Sequence, residues 1–452
     1  MKLIVTIGPA SEKEETISKL LKIADGVRLN LKHGDFDEHE RRIKIIRKFE
    51  KGHNKYVPII GDIPGVEIRT GDMEDLEVKE NQEVLINFSE EYEKGLIWIP
   101  FPKVSRYLRE GDRILIDDGQ IELKVIEKID NHVFKAKVIR GGIIKARKSV
   151  SFPDTEIELS VFENKKNEEL LKFVIENDLD YVAISFVQSV YQVLEVKEFL
   201  KKYSSDQWVM SKIEHRVALK NLKEIIKASD SIMVARGDLA VEVGIENLPL
   251  IQKRIVDECQ RLLKPVYVAT QFLASMIYNP IPTRAEVSDI ANAILDGADG
   301  IILTNETAVG KYPVEAAMVA KKVIQNTVEF ANIKPNIEVE NLNTIVAKHA
   351  VEMNREIKNS IIIAETETGF TAINVTRFKP KEIIVITNNK RVARNVSILW
   401  GVKKVIIAPE IINKIVDEEI LRKITNLKDV VAIYVGSPIL KRKTTLIHVL
   451  QL

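Results

Sequence analysis

Residues 265–305 read PVYVATQFLASMIYNPIPTRAEVSDIANAILDGADGIILTN, with a short β-branched run near each end and an amphipathic helical pattern, RAEVSDIANAILDG, between them. A strand, a helix and a second strand in this order predict a parallel β/α unit. The alternation recurs along the chain, with candidate strands at 3–8, 26–31, 56–62, 180–186, 208–214, 231–236, 265–270 and 300–305. Eight such units close a (β/α)8 TIM barrel, so we predict an α/β fold of this class.

Two stretches interrupt the alternation. From residue 71 to 153 the helical period disappears, and short alternating runs such as DRILIDDGQIELKVI are separated by Gly, Asn and Asp turns. We interpret this stretch as a small β-barrel lid domain inserted after the third strand. From residue 335 to 452 a new alternation predicts a separate C-terminal α/β domain, which leaves 1–70 and 154–334 for the barrel.

Composition excludes several classes of protein. The 67 Lys and Arg residues balance 66 Asp and Glu residues, and no basic stretch is interleaved with aromatics, so nucleic acid is not an expected partner. No apolar run approaches the roughly 18 residues of a membrane span, and the N-terminus lacks the apolar core of a signal peptide. We therefore expect a cytoplasmic protein without a membrane partner. A single cysteine excludes a disulfide framework.

Polar residues collect at the carboxyl ends of seven predicted strands, where TIM barrels carry their chemistry. Any one of them is more often a salt-bridge partner or a helix cap than a catalyst, but their convergence favours a functional site. They are Arg28, Asn30, Lys32, His33, Asp62, Ser185, Lys212, Glu214, Arg236, Gly237, Asp238, Thr270, Thr304 and Glu306.

The stretch SKIEHR gives the most specific signal. Lys212 and Glu214 are two residues apart on a strand, so both point to the same side. Glu214 and Asp238, on neighbouring strands, can share a hard divalent cation such as Mg²⁺. Gly237 lets a ligand approach the backbone, whose amides can then donate to an anion. Together with Arg28 these groups predict a site for a small phosphate or carboxylate compound, and for phosphoryl transfer.

Longer motifs resemble the pyruvate kinase family over nearly the whole chain. They are KLIVTIGPAS, GVRLNLKHG, GDIPGVEIRTG, ILIDDGQIEL, SKIEHR, IMVARGDLAVEV and the block from 264 to 313. The resemblance implies a barrel, a mobile lid and a C-terminal regulatory domain. It also implies phosphate transfer from phosphoenolpyruvate to ADP, dependence on Mg²⁺ or Mn²⁺, and a homotetramer.

The resemblance also implies roles for individual residues. Glu214 and Asp238 match the metal ligands, while Lys212 and Arg28 match cations on the transferring phosphate. The amides of Gly237 and Asp238, with the Thr270 hydroxyl, match the holders of the substrate carboxylate, and Thr270 lies near the carbon that is protonated. The nucleotide side is matched by Asn30, His33, Arg69 and Lys148, with Asp117 meeting the site when the lid closes.

One departure from the family pattern concerns a monovalent cation. In potassium-dependent relatives the residues matching Asn30, Lys32 and Asp62 help to bind K⁺, but Ser is usual where this chain has Lys32. An ammonium group has three donors and no lone pair, so it cannot ligate K⁺. We therefore predict that Lys32 pairs with Asp62, supplies the charge permanently and makes K⁺ unnecessary. The alternative is that Lys32 points to solvent and leaves a damaged ion site. Glu67 speaks against independence from K⁺, because relatives that dispense with K⁺ often have Lys at this position.

Two other classes of function remain as alternatives. A metal-dependent lyase or aldolase acting on pyruvate or phosphoenolpyruvate would use the same ion and amides, but would need no lid. A catalytically inactive metabolite sensor, using the C-terminal domain, is disfavoured because Lys212, Glu214, Asp238 and Thr270 are all present.

Overall fold

The computed structural model describes residues 1–331, 333, 335, 337, 341–414, 416–437 and 443–452. The chain opens with the elements β1 (Lys2–Ile7), α1 (Glu14–Ile23), β2 (Gly26–Asn30), α2 (Phe36–His53) and β3 (Ile59–Ile63). The three strands are almost wholly buried, as expected for parallel strands covered on both faces. Asp35 begins α2 by accepting a hydrogen bond from the Glu38 amide at 2.8 Å.

The insertion after β3 consists mainly of β-strands, with one short 3₁₀ helix at Pro102–Arg106. Its strands are β4 (Ile68–Arg69), β5 (Leu76–Val78), β6 (Glu83–Asn87), β7 (Ile97–Trp98), β8 (Arg113–Ile116), β9 (Ile121–Lys128), β10 (Val133–Arg140), β11 (Gly142–Ile144) and β12 (Ser149–Ser151). Throughout residues 68–151, all of which are described, seven strands form one sheet, β4-β12-β8-β9-β10-β6-β7, and β11 pairs with β5 in a second. The lid is therefore β-rich as predicted, while its strands do not form one closed ring.

The barrel resumes beyond the lid. Its further elements are α3 (Lys166–Glu176), β13 (Tyr181–Ile184), α4 (Val190–Lys202), β14 (Trp208–Ile213), α5 (Arg216–Lys220), α6 (Leu222–Ala228), β15 (Ser231–Ala235), α7 (Arg236–Val243), α8 (Leu248–Arg261), β16 (Val266–Ala269), α9 (Arg284–Leu295), β17 (Gly300–Leu303), α10 (Asn305–Ala308) and α11 (Pro313–Phe330). The closed barrel has the order β1-β17-β16-β15-β14-β13-β3-β2. Each predicted strand overlaps one of these eight, so the predicted TIM barrel is confirmed.

The C-terminal region forms a second α/β unit. Its elements are α12 (Leu342–Glu356), β18 (Ser360–Glu365), α13 (Phe370–Thr376), β19 (Ile383–Thr387), α14 (Lys390–Ser397), β20 (Val402–Ile407), α15 (Glu418–Thr425), β21 (Val431–Gly436) and β22 (Leu446–Gln451). The sheet order is β20-β19-β18-β21-β22, with β22 antiparallel to β21. The exact domain boundaries stay predictions; the first lid strand, β4, starts three residues before the predicted boundary at 71.

The C-terminal domain closes the amino end of the barrel. Ile398 is fully buried among the side chains that fill the barrel interior. Two interior tyrosines bind the same segment: the Tyr181 hydroxyl donates to the Asn395 carbonyl at 2.8 Å, and the Tyr267 hydroxyl to the Ile398 carbonyl at 3.1 Å. Because the C-terminal domain fills the amino end of the barrel, a ligand-binding site is expected at the carboxyl end.

An ion pair fastens the two domains beside this plug. The Arg394 guanidinium, on α14, donates to both oxygens of Glu50 on α2 at 2.9 Å, and both side chains are buried. The more distant Arg47 lies 3.5 Å from the same carboxylate.

No helix among the described residues has the length and apolar character needed to cross a membrane.

We expect Arg394→Met to lower the free energy of unfolding by about 3 kcal/mol, because it leaves the buried Glu50 carboxylate poorly paired. The measurement is the thermal denaturation midpoint. Adding Glu50→Gln should restore part of the loss, since a neutral amide is cheaper to bury than an unpaired carboxylate. Strictly additive losses in the double variant would contradict this account of the pair.

Candidate active site

The inward faces of the barrel strands change from apolar to charged at their carboxyl ends. Because strand side chains alternate, Met210 and Lys212 share the inward face of β14, and Ile60 and Asp62 that of β3. Above this change lies a cavity of about 280 Å³. Its lining includes Arg28, Asn30, Lys212, Glu214, Gly237, Asp238, Thr270, Gln271, Thr304 and Glu306.

The Asp62 carboxylate lies at the centre of the buried charges. It accepts hydrogen bonds from Arg28 Nε at 2.7 Å, from the Ser185 hydroxyl at 3.2 Å and from Lys212 Nζ at 3.3 Å. Although burial raises its pKa, the Lys212 ammonium and then the Arg28 guanidinium hold the pKa of Asp62 below its usual range. Asp62 is therefore a permanent anion that orients two cations.

Lys212 is a fixed and charged side chain. Its ammonium donates to the Ser185 hydroxyl at 2.7 Å and lies 3.0 Å from Glu214 Oε1. Burial lowers the pKa of Lys212, but the Asp62 and Glu214 carboxylates outweigh it and raise the pKa above its ordinary value. A preorganised ammonium in a buried site suits the stabilisation of negative charge that develops during a reaction.

Glu214 and Asp238 form a pair of carboxylates that fits a divalent metal ion. Burial first, and then the neighbouring Asp238 carboxylate, raise the pKa of Glu214 to about 7 against the opposing effect of the Lys212 ammonium. Burial also raises the pKa of Asp238. A cation between the two carboxylates would offset both the cost of their burial and their mutual repulsion. Among the described residues no three His, Cys, Asp or Glu side chains cluster as a metal site. Mg²⁺ commonly uses one or two carboxylates and takes its other ligands from substrate and water.

Thr270 contacts the start of α7. The Gly237 amide donates to Thr270 Oγ1 at 2.9 Å, and Arg236 Nη2 donates to the Thr270 carbonyl at 2.6 Å. A Cβ built on Gly237 would meet Thr270 Oγ1 at an ordinary 3.7 Å, so the protein itself could accept a side chain there. Gly237 therefore leaves space for a ligand beside the amides at the start of α7.

The predicted pairing of Lys32 with Asp62 is wrong. The Lys32 ammonium donates to Glu67, and its side chain is 36% exposed. The physical reason is that Arg28, Ser185 and Lys212 already fill the buried Asp62 carboxylate, whereas Lys32 lies beyond the end of β2. Lys32 does not leave the site, however, because its charge is close enough to lower the pKa of Asp238.

The residues predicted for the nucleotide side are only partly brought together. Asn30 lines the barrel cavity, and Arg69 lines a second cleft, between lid and barrel, that reaches Asp238. Lys148 lies in the lid and pairs with Asp117 at 2.8 Å. His33 is exposed and lines neither of these two cavities.

Three side chains have roles that the sequence analysis did not assign. Ser185 bridges Asp62 and Lys212, and Glu67 pairs with both Lys32 and Arg69. Asp118, rather than its neighbour Asp117, lines the lid cleft and raises the pKa of Asp238. The position of Ser185 at a strand end could have indicated its role from the sequence. The roles of Glu67 and Asp118 could not be predicted in this way, because they depend on how the lid packs against the barrel.

Two family models match most of the chain. Residues 1–317 match the family model of the pyruvate kinase barrel domain, and residues 344–450 match that of the pyruvate kinase alpha/beta domain. The chain is similar to a pyruvate kinase of Thermococcus litoralis, with 37% identity over 416 residues, 89% of this chain and 87% of the relative. It is 38% identical over 422 residues to a pyruvate kinase of Staphylococcus aureus, covering 90% of this chain and 71% of the relative.

Two crystal structures are similar over the whole chain. Pyruvate kinase from Pyrobaculum aerophilum has a TM-score of 0.87 and 30% identity, with 100% of this chain and 99% of that chain covered. A pyruvate kinase from Cryptosporidium parvum has a TM-score of 0.90 and 29% identity, with 100% and 95% covered.

We expect Asp238→Asn to weaken Mn²⁺ binding at least about tenfold, because it removes one of two charged oxygen ligands. Titration of the protein with Mn²⁺, followed by electron paramagnetic resonance of the free ion, measures the affinity. Asp289→Asn is a matched control, since Asp289 is engaged by Arg236 at 2.8 Å. Equal affinities for the Asp238 variant and the unmodified protein would exclude this carboxylate as a ligand.

Proposed function

Because the chain belongs to the pyruvate kinase family, we propose that its barrel site transfers the phosphoryl group of phosphoenolpyruvate to ADP, giving pyruvate and ATP. The protein is a phosphotransferase by its family. The observation that carries the proposal is the buried network in which Asp62 orients Arg28 and Lys212 beside the carboxylates of Glu214 and Asp238. The alternative of a lyase or aldolase is not supported by these relatives.

The proposed transfer begins with attack by an ADP β-phosphate oxygen on the phosphorus of phosphoenolpyruvate. The bond from phosphorus to the enol oxygen breaks, and its electron pair stays on that oxygen as an enolate. In this scheme the Lys212 and Arg28 cations stabilise the charge on the phosphoryl group, and Lys212 then stabilises the enolate. A divalent ion, Mg²⁺ or Mn²⁺, held by Glu214 and Asp238 would supply positive charge to phosphate and enolate oxygens.

Protonation completes the proposed reaction. The enolate electrons form the ketone carbonyl of pyruvate as C3 takes a proton, through the Thr270 hydroxyl and water. The Thr270 oxygen accepts a bond from the Gly237 amide, so its own proton is available for a second hydrogen bond. A substrate carboxylate held by the Gly237 and Asp238 amides has to share or displace that bond, which would place the substrate directly against Thr270.

The rest of the proposed assignment concerns the nucleotide and the lid. We assign Asn30, His33, Arg69 and Lys148 to ADP, with the lid excluding water from the phosphoryl group. Lys148 would have to exchange its partner Asp117 for a phosphate on closure.

The proposed assembly is a homotetramer in the cytoplasm. Large apolar side chains at the barrel exterior support contacts with further copies of the chain, since Ile245, Leu250, Tyr278 and Ile281 are each at least 69% exposed.

Lys212→Met tests the proposed function, because it removes the buried cation while keeping an unbranched side chain. We expect pyruvate formation from phosphoenolpyruvate and ADP to require Mg²⁺ in the unmodified protein, and to fall about 100- to 1,000-fold in this variant. Lys379→Met is a matched control, since Lys379 is also a buried lysine paired with an aspartate, Asp299, but at the floor of the barrel. Turnover in Lys212→Met equal to that of the control would remove Lys212 from the mechanism.

The second test concerns K⁺. We propose that the Lys32 ammonium, paired with Glu67 beside Asp238, supplies the charge that K⁺ supplies elsewhere, so activity needs Mg²⁺ but no K⁺. In buffer balanced with tetramethylammonium, Lys32→Ser should lower activity and make part of it recoverable with KCl. Lys32→Arg keeps the charge and should remain independent of K⁺. Many-fold stimulation of the unmodified protein by KCl at constant ionic strength would refute the proposal.

A further inference from the structure

Glu306 is a buried carboxylate that binds the turn containing Thr270. Glu306 is 1% exposed, and no ion pair joins it to a cation in the part of the chain that the structure describes. Instead, Oε1 accepts from the Phe272 amide at 3.1 Å and the Leu273 amide at 3.2 Å, while Oε2 accepts from the Thr304 amide at 2.8 Å and its hydroxyl at 3.2 Å. The carboxylate thus ties the turn after β16 to the end of β17.

The turn that Glu306 binds has an unusual backbone. Thr270 has a φ of 77° and Gln271 a φ of 55°, so two consecutive non-glycine residues, one of them β-branched, adopt the left-handed region. Such a conformation persists only where surrounding groups hold it. Successive amides that converge on an anion, as those of Phe272 and Leu273 do on Glu306, provide such a hold.

The opposite side of the turn is held as well. The Arg236 guanidinium binds the Thr270 carbonyl and lies 4.0 Å above the Phe272 ring, while the Gly237 amide binds Thr270 Oγ1. The turn is therefore held both by the start of α7, which binds Thr270, and by the Glu306 carboxylate, which binds the two amides that follow Gln271. Release of either side would let the strained turn relax and move the hydroxyl.

We propose that Glu306 is a positioning residue, which holds the Thr270 hydroxyl where it can deliver a proton to C3 of the enolate. The inference rests on the proposed function and adds to it a residue that lines the cavity but acts through Thr270, since its carboxylate oxygens accept from the amides of the Thr270 turn and of Thr304. Glu306 neither gives nor takes the proton: the hydroxyl passes its proton towards C3, directly or through water, and is restored from solvent. Misplacement of the hydroxyl should therefore slow protonation of the enolate more than it weakens binding of substrate or metal.

Exchange of the C3 protons of pyruvate with deuterium from D₂O isolates this step. The exchange requires only that pyruvate lose a C3 proton to form the enolate and that the enolate then take up deuterium, without phosphorylation of ADP. We expect Glu306→Gln, in the presence of Mg²⁺ and inorganic phosphate, to slow the exchange about 10- to 100-fold by ¹H NMR. The KM for ADP and the affinity for Mn²⁺ should stay within about twofold. Glu306→Asp, which keeps the charge but shortens the side chain, should retain more exchange than Glu306→Gln and gives a second variant should the first fail to fold.

Glu286→Gln is the matched control. Glu286 also accepts backbone bonds, from the Ser275 amide at 2.7 Å and the Thr283 amide at 2.8 Å. These bonds join the start of α9 to the short 3₁₀ helix Ala274–Ile277, and neither involves an amide that binds Glu306. We expect this control to lower stability without slowing exchange.

A double variant decides whether Glu306 acts through Thr270. If it does, Thr270→Ala with Glu306→Gln exchanges no more than about twofold slower than Thr270→Ala alone. Losses that multiply, or an equal loss of exchange in Glu286→Gln, would overturn the inference and leave the proposed function standing. Absence of phosphate transfer in the unmodified protein would instead refute the proposed function.

Discussion

The Asp62 carboxylate, held between the Arg28 guanidinium and the Lys212 ammonium, is the interaction on which the candidate site depends. Charges buried this deeply are tolerated only when they are paired and hydrogen-bonded. Asp62 lies on β3, Arg28 on β2 and Lys212 on β14, and Ser185, just after β13, bridges the gap between Asp62 and Lys212. Four neighbouring strands therefore have to be in register for any of these charges to be buried.

The same network explains why the site suits a metal ion and a phosphate. Arg28 and Lys212 contribute two positive charges, and Asp62, Glu214 and Asp238 contribute three negative charges when ionised. Burial, and after it the neighbouring carboxylates, raise the pKa of Glu214 and of Asp238. A divalent ion would turn the balance positive, which favours an anionic substrate above it. Asp62 thus holds both cations, while Glu214, which also contacts Lys212, and Asp238 are the carboxylates that we propose for a metal.

The arrangement of the domains keeps this end of the barrel available. Ile398 and the hydrogen bonds from Tyr181 and Tyr267 fill the opposite end with the C-terminal domain. The lid is inserted directly after β3, the strand that carries Asp62, so its two flanking segments pass beside the site. Glu67, between β3 and β4, and Asp118, in the turn between β8 and β9 of the lid, both line the cleft where the lid meets the barrel.

The sequence by itself determined the barrel, the inserted β-rich lid, the C-terminal α/β domain and the polar residues at the strand ends. These features are local: strand and helix periods can be counted along the chain, and the carboxyl end of each strand follows from its direction. Only the tertiary structure decided which charge meets which. Lys32 reaches Glu67 because Asp62 is already filled, Asp118 rather than Asp117 faces Asp238, and Glu306 becomes the buried anchor of the Thr270 turn. An ion pair or a buried carboxylate is settled by competition among groups that come from separate strands and from the lid, and the spacing of residues along one chain does not record that competition.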